Sequence, residues 1–115
     1  MNKKFIIKKN EEIKKIINNS KKVISNCFIV YYINNDYNYN RFCISVSKKI
    51  GKAHIRNLFK RRIKDILMKN NINSSNDYVI ILRKSIINLD YFEIKNELIE
   101  LLKGLNIWKI QKRNY

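Results

Sequence analysis

The chain has 115 residues, a length typical of one domain, and it carries a formal net charge of +16 at pH 7. Apolar residues make up 45% of it, which is enough to form a core and argues against a disordered basic tail. A charge of this size attracts polyanions, so nucleic acid is the first candidate partner and an anionic membrane the second.

Targeting and redox signals are few. The opening residues contain one apolar run, 5–7, which is too short for the apolar region of a signal peptide. No stretch approaches eighteen uncharged apolar residues, so we expect no transmembrane helix and no membrane partner. Cys27 and Cys43 are the only cysteines and belong to no metal-ligand motif. This pattern predicts free thiols, a cytoplasmic protein and no metal site in the protein itself.

The first third of the chain predicts a helix and two strands. In "NEEIKKIINNS", residues 10–20, Asn10 is a candidate N-cap and the isoleucines share one face. The run "NCFIVYYI", 26–33, is rich in β-branched and aromatic residues and predicts a strand. "RFCISVS", 41–47, has the alternation of a half-buried strand. Across the polar loop 34–40, the two strands are expected to form an antiparallel hairpin.

The next stretch, "KKIGKAHIRNLFKRRIKDIL" at 48–67, holds eight lysines and arginines before its first acid. Its isoleucine, leucine and phenylalanine residues form one stripe, which predicts a helix over 52–67. Arg56, Lys60 and Lys64 recur every four residues along one flank of that helix. Solvated helix faces usually mix both signs of charge. The pattern therefore favours a helix that packs its stripe on a sheet and turns its charge toward a polyanion.

The remainder predicts a strand and a closing helix. "DYVIILRK", 77–84, is apolar on both faces, as expected of an interior strand. In "LDYFEIKNELIELLKGL", Asp90 and Glu93 have capping-box spacing and Gly104 is a candidate C-cap. The predicted order is α-β-β-α-β-α, an α+β domain with a small mixed sheet that occupies residues 1–115.

Catalysis by side chains is difficult to build from this sequence. His54 is the single histidine, and no carboxylate lies near it in sequence. The nine acidic residues form no obvious metal-binding set, and the glycine fingerprints of phosphate-binding loops are absent. Tyrosine rings that could stack on bases occur at Tyr31, Tyr32, Tyr37 and Tyr39. Nucleic-acid binding is therefore favoured over catalysis by the protein's own side chains.

The segment "SVSKKIGKAHIRNLFKRRIKD", 45–65, resembles the signature of the bacterial ribonuclease P protein component. Lys64 and Asp65 stand where this family usually has Arg-Glu. "IKKNEEIKKII", "FIVYYI", "DYVIILRK" and the final helix fall in the family's order, so the resemblance covers nearly the whole chain. The positions that match the signature are Ser47, Lys48, Lys49, Gly51, Ala53, Arg56, Asn57, Lys60 and Arg61.

The resemblance implies a fold with a left-handed β-α-β crossover, although right-handed connections are the general rule. It also implies a function. The protein would be the small basic subunit of an endoribonuclease whose catalytic RNA supplies the active site and holds the Mg²⁺ ions. Together the two would remove the 5′ leader from precursor tRNA.

Two contact surfaces are implied by the same resemblance, and neither contains a catalytic residue. The arginine-rich helix and the loop before it would contact the catalytic RNA through Lys52, Arg56, Asn57, Lys60, Arg61 and Lys64. A cleft between the first helix and the sheet would hold the leader near Lys8, Lys9, Ile13, Ile17, Tyr31, Ser47, Lys48 and Lys49.

The chain departs from the family pattern in two places. Leu58 stands where the signature usually has arginine, so one guanidinium is missing. Ile13 and Ile17 stand where phenylalanines are common, and isoleucine cannot stack on a base. Leader binding would then rest more on charge and on Tyr31.

Two other classes of function remain open. A ribosomal protein or an RNA chaperone would have the same size and charge, but it would need no leader cleft. A nuclease that uses its own side chains would cut RNA without an RNA partner.

Overall fold

The computed structural model describes residues 1–113, with side chains through residue 104. It is an α+β fold, as predicted. The helices are α1 (Asn10–Asn19), α2 (Ala53–Lys69) and α3 (Tyr91–Arg113), and the strands are β1 (Lys21–Ile24), β2 (Phe28–Asn34), β3 (Arg41–Ser45) and β4 (Asn76–Leu82). Two 3₁₀ turns, Lys3–Phe5 and Lys84–Asn88, precede α1 and α3.

The four strands form one mixed sheet in the order β1-β2-β4-β3. β2 is antiparallel to both β1 and β4, whereas β3 is parallel to β4. Parallel neighbours need a long crossover connection, and α2 supplies it here. The β3-α2-β4 unit is therefore present, and its left-handed sense stays a prediction.

The predicted hairpin between β2 and β3 is wrong, because β4 lies between them. Every residue of β2 from Phe28 to Asn34 pairs with β4, and β3 takes the other edge of β4. β4 is apolar on both faces. In the central position both faces are covered, and both edges of the strand form hydrogen bonds, one with β2 and the other with β3. The prediction of an interior strand at this point of the chain is confirmed.

Two local predictions at helix ends are wrong. Asn10 is the first residue of α1, and the cap position is Lys9, which makes no side-chain capping bond. Gly104 lies inside α3, which continues to Arg113. Gly51 is the one glycine with a positive φ among the described residues, so Gly104 is not in the left-handed conformation expected of a C-cap.

The capping box at the start of α3 is confirmed. The backbone N–H of Glu93 donates to Asp90 Oδ1 at 2.9 Å, and the backbone N–H of Asp90 donates to Glu93 Oε1 at 3.3 Å. The first turn of the helix therefore has acceptors for two of its otherwise free donors.

The two faces of the sheet are buried unequally. The larger core lies under α2 and α3, where Phe28, Tyr78 and Ile80 of the sheet are fully buried. On the opposite face, Ile16 of α1 packs against Val79 in a smaller cluster. The period of two along each strand separates these sets.

The N-terminal segment covers the β3 edge of the sheet. The backbone N–H of Ile7 donates to the carbonyl of Phe42 at 2.8 Å, and Ile6 forms a parallel bridge with the same residue. An otherwise open strand edge is thereby partly paired.

One largely buried ion pair joins β3, β4 and α1. The Arg41 guanidinium donates to Asp77 Oδ1 and Oδ2 at 2.9 and 2.7 Å, and to Glu12 Oε1 at 2.6 Å. The Arg41 and Asp77 side chains are only 12% and 9% exposed. The hydrogen bond to Asp77 raises the pKa of Arg41 above its usual value. Because Arg41 and Asp77 are register partners, their pairing holds the parallel strands in place.

We expect Arg41→Met to lower the free energy of unfolding by about 3 kcal/mol, because Asp77 would stay buried without its cation. Arg41→Met/Asp77→Leu should lose clearly less than the sum of the two single variants. Urea denaturation measures all three. Lys69→Met, which removes an exposed pair with Asp65, is the control and should change little. Additive losses at Arg41 and Asp77 would contradict the coupling.

Candidate nucleic-acid interface

The start of α2 is set by a glycine turn. Gly51 has φ +156°, and a Cβ there would lie 3.1 Å from Ile55, so a side chain at this position would be crowded as well as strained. Lys52 follows as the cap, and its carbonyl accepts from the backbone N–H groups of Ile55 and Arg56 at 3.0 Å each. The Lys52 backbone is thereby held at the first turn of the basic helix, and its side chain is exposed.

The buried stripe of α2 places the cations on its flank. Phe59, Ile63, Ile66 and Leu67 are buried against the sheet and α3. Arg56, Lys60 and Lys64, which we call the cation row, are half-buried beside that stripe. Successive members are four residues and therefore about 6 Å apart along the axis. The positive charge of Lys60 acts on Cys43, so the row lies toward β3.

The one acidic residue of α2, Asp65, lies on the opposite flank of the helix. Asp65 accepts a hydrogen bond from the Tyr91 hydroxyl at 2.6 Å and pairs with Lys69 at 3.1 Å, and these contacts lower its pKa. Leu58 is about 200° around the helix from Arg56, so it also lies away from the cation row. The missing arginine at Leu58 therefore does not interrupt the row.

The six predicted catalytic-RNA contacts all lie on α2 or its cap. Lys52, Asn57 and Arg61 are exposed, whereas the cation row is half-buried. Arg56 Nε is enclosed and has no hydrogen-bond partner among the described residues. The side chains thus form one basic surface that runs from the cap to the fourth turn of the helix.

Three of the predicted leader contacts meet on the α1 side of the sheet. Ile13 and Ile17 of α1 and Tyr31 of β2 pack together around Val79, and all three are half-buried. Glu12 reaches Arg41, so α1 lies toward the end of the sheet where β3 begins. Toward the other end of this face, Ile29 is half-buried and Ser45 is exposed, so the face is open there. We call the surface formed by Ile13, Ile17 and Tyr31, together with this open end of the sheet face, the cleft.

A cation that the sequence did not indicate lies beside Tyr31. Lys22 of β1 is its register partner, and Lys22 Nζ lies 5.9 Å from the centroid of the tyrosine ring. β1 was not predicted, because its four residues begin with two lysines and only Val23 is partly buried. Its two lysines are followed by two β-branched residues, so "KKVI" has no polar–apolar alternation and is too short to indicate a strand.

The other predicted leader contacts are exposed and lie near the β3 edge. Lys8 and Lys9 connect the bridge at Phe42 to α1, and Ser47, Lys48 and Lys49 form the turn after β3. The four lysines among them therefore place exposed positive charge near this edge of the sheet.

The described residues offer few groups for metal binding or side-chain catalysis. Within the described part of the chain, no three His, Cys, Asp or Glu side chains are grouped so as to hold a metal ion. Both cysteines are free, and His54 is exposed on α2. None of the described helices is long and apolar enough to cross a membrane.

Comparison with known proteins identifies the same family over nearly the whole chain. The family model described as Ribonuclease P matches residues 1–106. The ribonuclease P protein component of Mycoplasma mycoides subsp. mycoides is 46% identical over 109 residues, covering 91% of this chain and 99% of the relative. That of Listeria welshimeri is 38% identical over 117 residues, covering 99% and 98% of the two chains.

Solved structures agree with this assignment. A mutant of the Staphylococcus aureus RNase P protein with defective mRNA degradation activity matches with a TM-score of 0.84 and 32% identity over 90% of each chain. The RNase P protein from Thermotoga maritima matches with a TM-score of 0.80 and 29% identity, over 85% of this chain and 94% of that one.

The position of Lys60 can be tested through Cys43. Burial raises the pKa of the Cys43 thiol, and the charge of Lys60 partly lowers it. Native Cys43 should therefore alkylate slowly at pH 7.5 and faster as the pH rises, and Lys60→Gln should slow it further, by about twofold. Peptide mass spectrometry after iodoacetamide labelling reads Cys43 separately from Cys27. Lys103→Gln, on α3, is the matched control, and an equal effect there would contradict the placement of Lys60.

Proposed function

The chain belongs to the bacterial ribonuclease P protein family, and from this membership we propose that it is the protein subunit of a ribonuclease P holoenzyme. It binds the catalytic RNA and the 5′ leader of precursor tRNA, and it promotes endonucleolytic removal of the leader. The catalytic RNA carries out the cleavage with Mg²⁺ ions that it mainly holds itself. The observation that carries this proposal is the cation row on α2, which no acid opposes on its own flank.

The cation row supports binding to a phosphate backbone. Like charges about 6 Å apart repel one another, and neighbouring phosphates would neutralise them and release counterions. The enclosed Arg56 Nε adds to this, because a donor without an acceptor is costly. A phosphate that drew the guanidinium outward would give this donor a charged acceptor.

The cleft supports binding of a single strand. Such a strand needs a ring for a base face, apolar surface beside it and cations for its phosphates. Tyr31 offers the ring, Ile13 and Ile17 offer the wall, and Lys22 lies over the ring. The exposed lysines near the β3 edge would attract the strand to this opening.

The protein's own contribution is positional and electrostatic. It holds the leader and so orients the substrate. Its net charge of +16 reduces repulsion between the catalytic RNA and the tRNA, which lowers the Mg²⁺ concentration that the complex requires. His54 has no role in the chemistry.

Reconstitution separates this function from that of a ribosomal protein or RNA chaperone. With a bacterial ribonuclease P RNA at low Mg²⁺, the protein should restore cleavage of precursor tRNA at the mature 5′ end. The protein alone should cut nothing, and His54→Ala should leave reconstituted cleavage nearly unchanged. Cleavage by RNA-free protein, or no stimulation of the RNA, would refute the proposal.

The affinity for the catalytic RNA should fall steeply with salt. If about five phosphates are contacted, the log–log slope should be of that order. Arg56→Ala and Lys60→Ala should each flatten the slope by roughly one, whereas Lys103→Ala on α3 should leave it unchanged. Filter binding between 50 and 300 mM KCl measures the slopes. Equal effects of all three variants would argue against a contact through α2.

Tyr31→Ala should weaken binding of precursor tRNA by the holoenzyme more than binding of mature tRNA. The expected loss is roughly 1–3 kcal/mol, toward the lower end because the ring is only half accessible. Ile17→Phe adds a ring to the same wall, so leader affinity should rise or hold. Phe92→Ala, which removes a ring exposed on α3, is the control.

Thermal melting of the Tyr31→Ala protein checks that its fold is intact, since Tyr31 also packs in the α1 cluster. Equal losses for precursor and mature tRNA would exclude Tyr31 from the leader site.

A further inference from the structure

A second concave site lies at the C-terminal end of α2. The N-terminal segment, the β2–β3 loop, the last turn of α2 and the loop 70–74 enclose a pocket of about 630 Å³, which we call the α2-end pocket. This volume is within the range of sites that bind small organic groups. None of the residues predicted to contact the leader or the catalytic RNA lines it.

The α2-end pocket has an apolar floor and an aromatic wall. Phe42, Leu67 and Ile72 line it and are buried. Phe5 and Tyr39 form the wall as an edge-to-face pair, with ring centroids 5.3 Å apart and planes at 80°. Both rings are half-buried, so each keeps accessible surface. A flat aromatic group fits such a surface, and every nucleobase has one.

The surroundings of the rings suit an anion. Lys4 Nζ lies 5.0 and 4.9 Å from the centroids of Phe5 and Tyr39, so one ammonium group lies over both rings. Lys4 stands beside the pocket, whereas Lys69, which pairs with Asp65, lines it, and none of the lining residues is acidic. The loop adds exposed amides at Asn71 and Asn73, which can both donate to and accept from the edge of a base. Ring, amide and cation together match one nucleotide.

The pocket continues the cation row. Met68 follows Lys64 by the same step of four residues that separates the members of the row, and its side chain lines the pocket and is 61% exposed. One step is about 6 Å along the helix axis. A strand that followed Arg56, Lys60 and Lys64 toward the end of α2 would therefore arrive at the Phe5–Tyr39 wall.

We propose that the α2-end pocket binds an unpaired nucleotide of the catalytic RNA, with its base against the Phe5–Tyr39 rings and its phosphate near Lys4. This inference rests on the proposed function, since it takes the RNA on the cation row to be the catalytic RNA. It adds a base-stacking contact to a surface that otherwise acts through charge.

The test compares Tyr39→Leu, which keeps apolar bulk and loses the ring, with Tyr39→Phe, which keeps the ring. Tyr39→Leu should weaken binding to ribonuclease P RNA by roughly 5- to 20-fold, the lower part of the range for base–aromatic stacking. Its salt slope should stay that of the unsubstituted protein, because no charge is lost. Tyr39→Phe should bind nearly as well as the unsubstituted protein. Phe92→Leu on α3 is the control for loss of an exposed ring.

Chemical probing of the RNA supplies a second readout. One or a few unpaired nucleotides that the unsubstituted protein protects should become reactive with Tyr39→Leu. If thermal melting shows that Tyr39→Leu is unfolded, Met68→Glu takes its place, because Met68 is exposed. It should weaken RNA binding more than Ile87→Glu, which adds the same charge at an exposed residue outside the pocket.

The outcomes distinguish failure of this inference from failure of the proposed function on which it rests. If the unsubstituted protein neither binds nor activates the RNA, the proposed function fails. If it does both but the pocket variants bind RNA like their controls, the pocket proposal alone is overturned. Loss of precursor-tRNA binding with unchanged catalytic-RNA affinity would overturn it too. So would binding of adenosine monophosphate in the pocket, seen as shifts in the Tyr39 NMR signals, with unchanged RNA affinity.

Discussion

The ion pair between Arg41 and Asp77 fixes the arrangement on which both proposed RNA-binding surfaces depend. It holds β3 beside β4 where both strands begin, and Glu12 extends it to α1. Because α2 leaves the far end of β3 and returns to the start of β4, the position of the cation row follows from this pairing. The place of α1 over the sheet, and therefore the width of the cleft, depends on the same guanidinium.

Most of the few carboxylates accept hydrogen bonds from groups within the fold. Glu97, for example, accepts from the Ser25 hydroxyl and from the backbone N–H of Cys27 at 2.8 Å each, which ties α3 to the β1–β2 turn. Few acids are then left to neutralise the basic surface, so the charge stays available to a polyanion. Of the nine acids, those with such bonds are Glu12, Asp65, Asp77, Asp90, Glu93 and Glu97.

Sequence reasoning succeeded where the signal is local and failed where it depends on pairing. The stripe of α2, the apolar run of β4 and the Asp90–Glu93 box are periodic or short-range, and each was predicted. The order of the strands was not, because an adjacent pair of strands looks like a hairpin until a distant strand competes for the position between them. Lys22 was missed for the same reason, since only the β1–β2 register brings it to Tyr31. The α2-end pocket requires three separated segments to converge, which no periodicity reports.

The central position of β4 has a consequence for synthesis of the chain. As the polypeptide leaves the ribosome, α1, β1 and β2 can associate early, but β3 has only the N-terminal segment beside it and lacks its one neighbouring strand, β4. Arg41 cannot pair with Asp77 until a further 36 residues have been synthesised. Until β4 emerges, the nascent chain therefore exposes the apolar faces of β2 and β3 together with a helix of high positive charge. Such a chain is vulnerable to premature association with ribosomal RNA, and fast translation through residue 82 would shorten that interval.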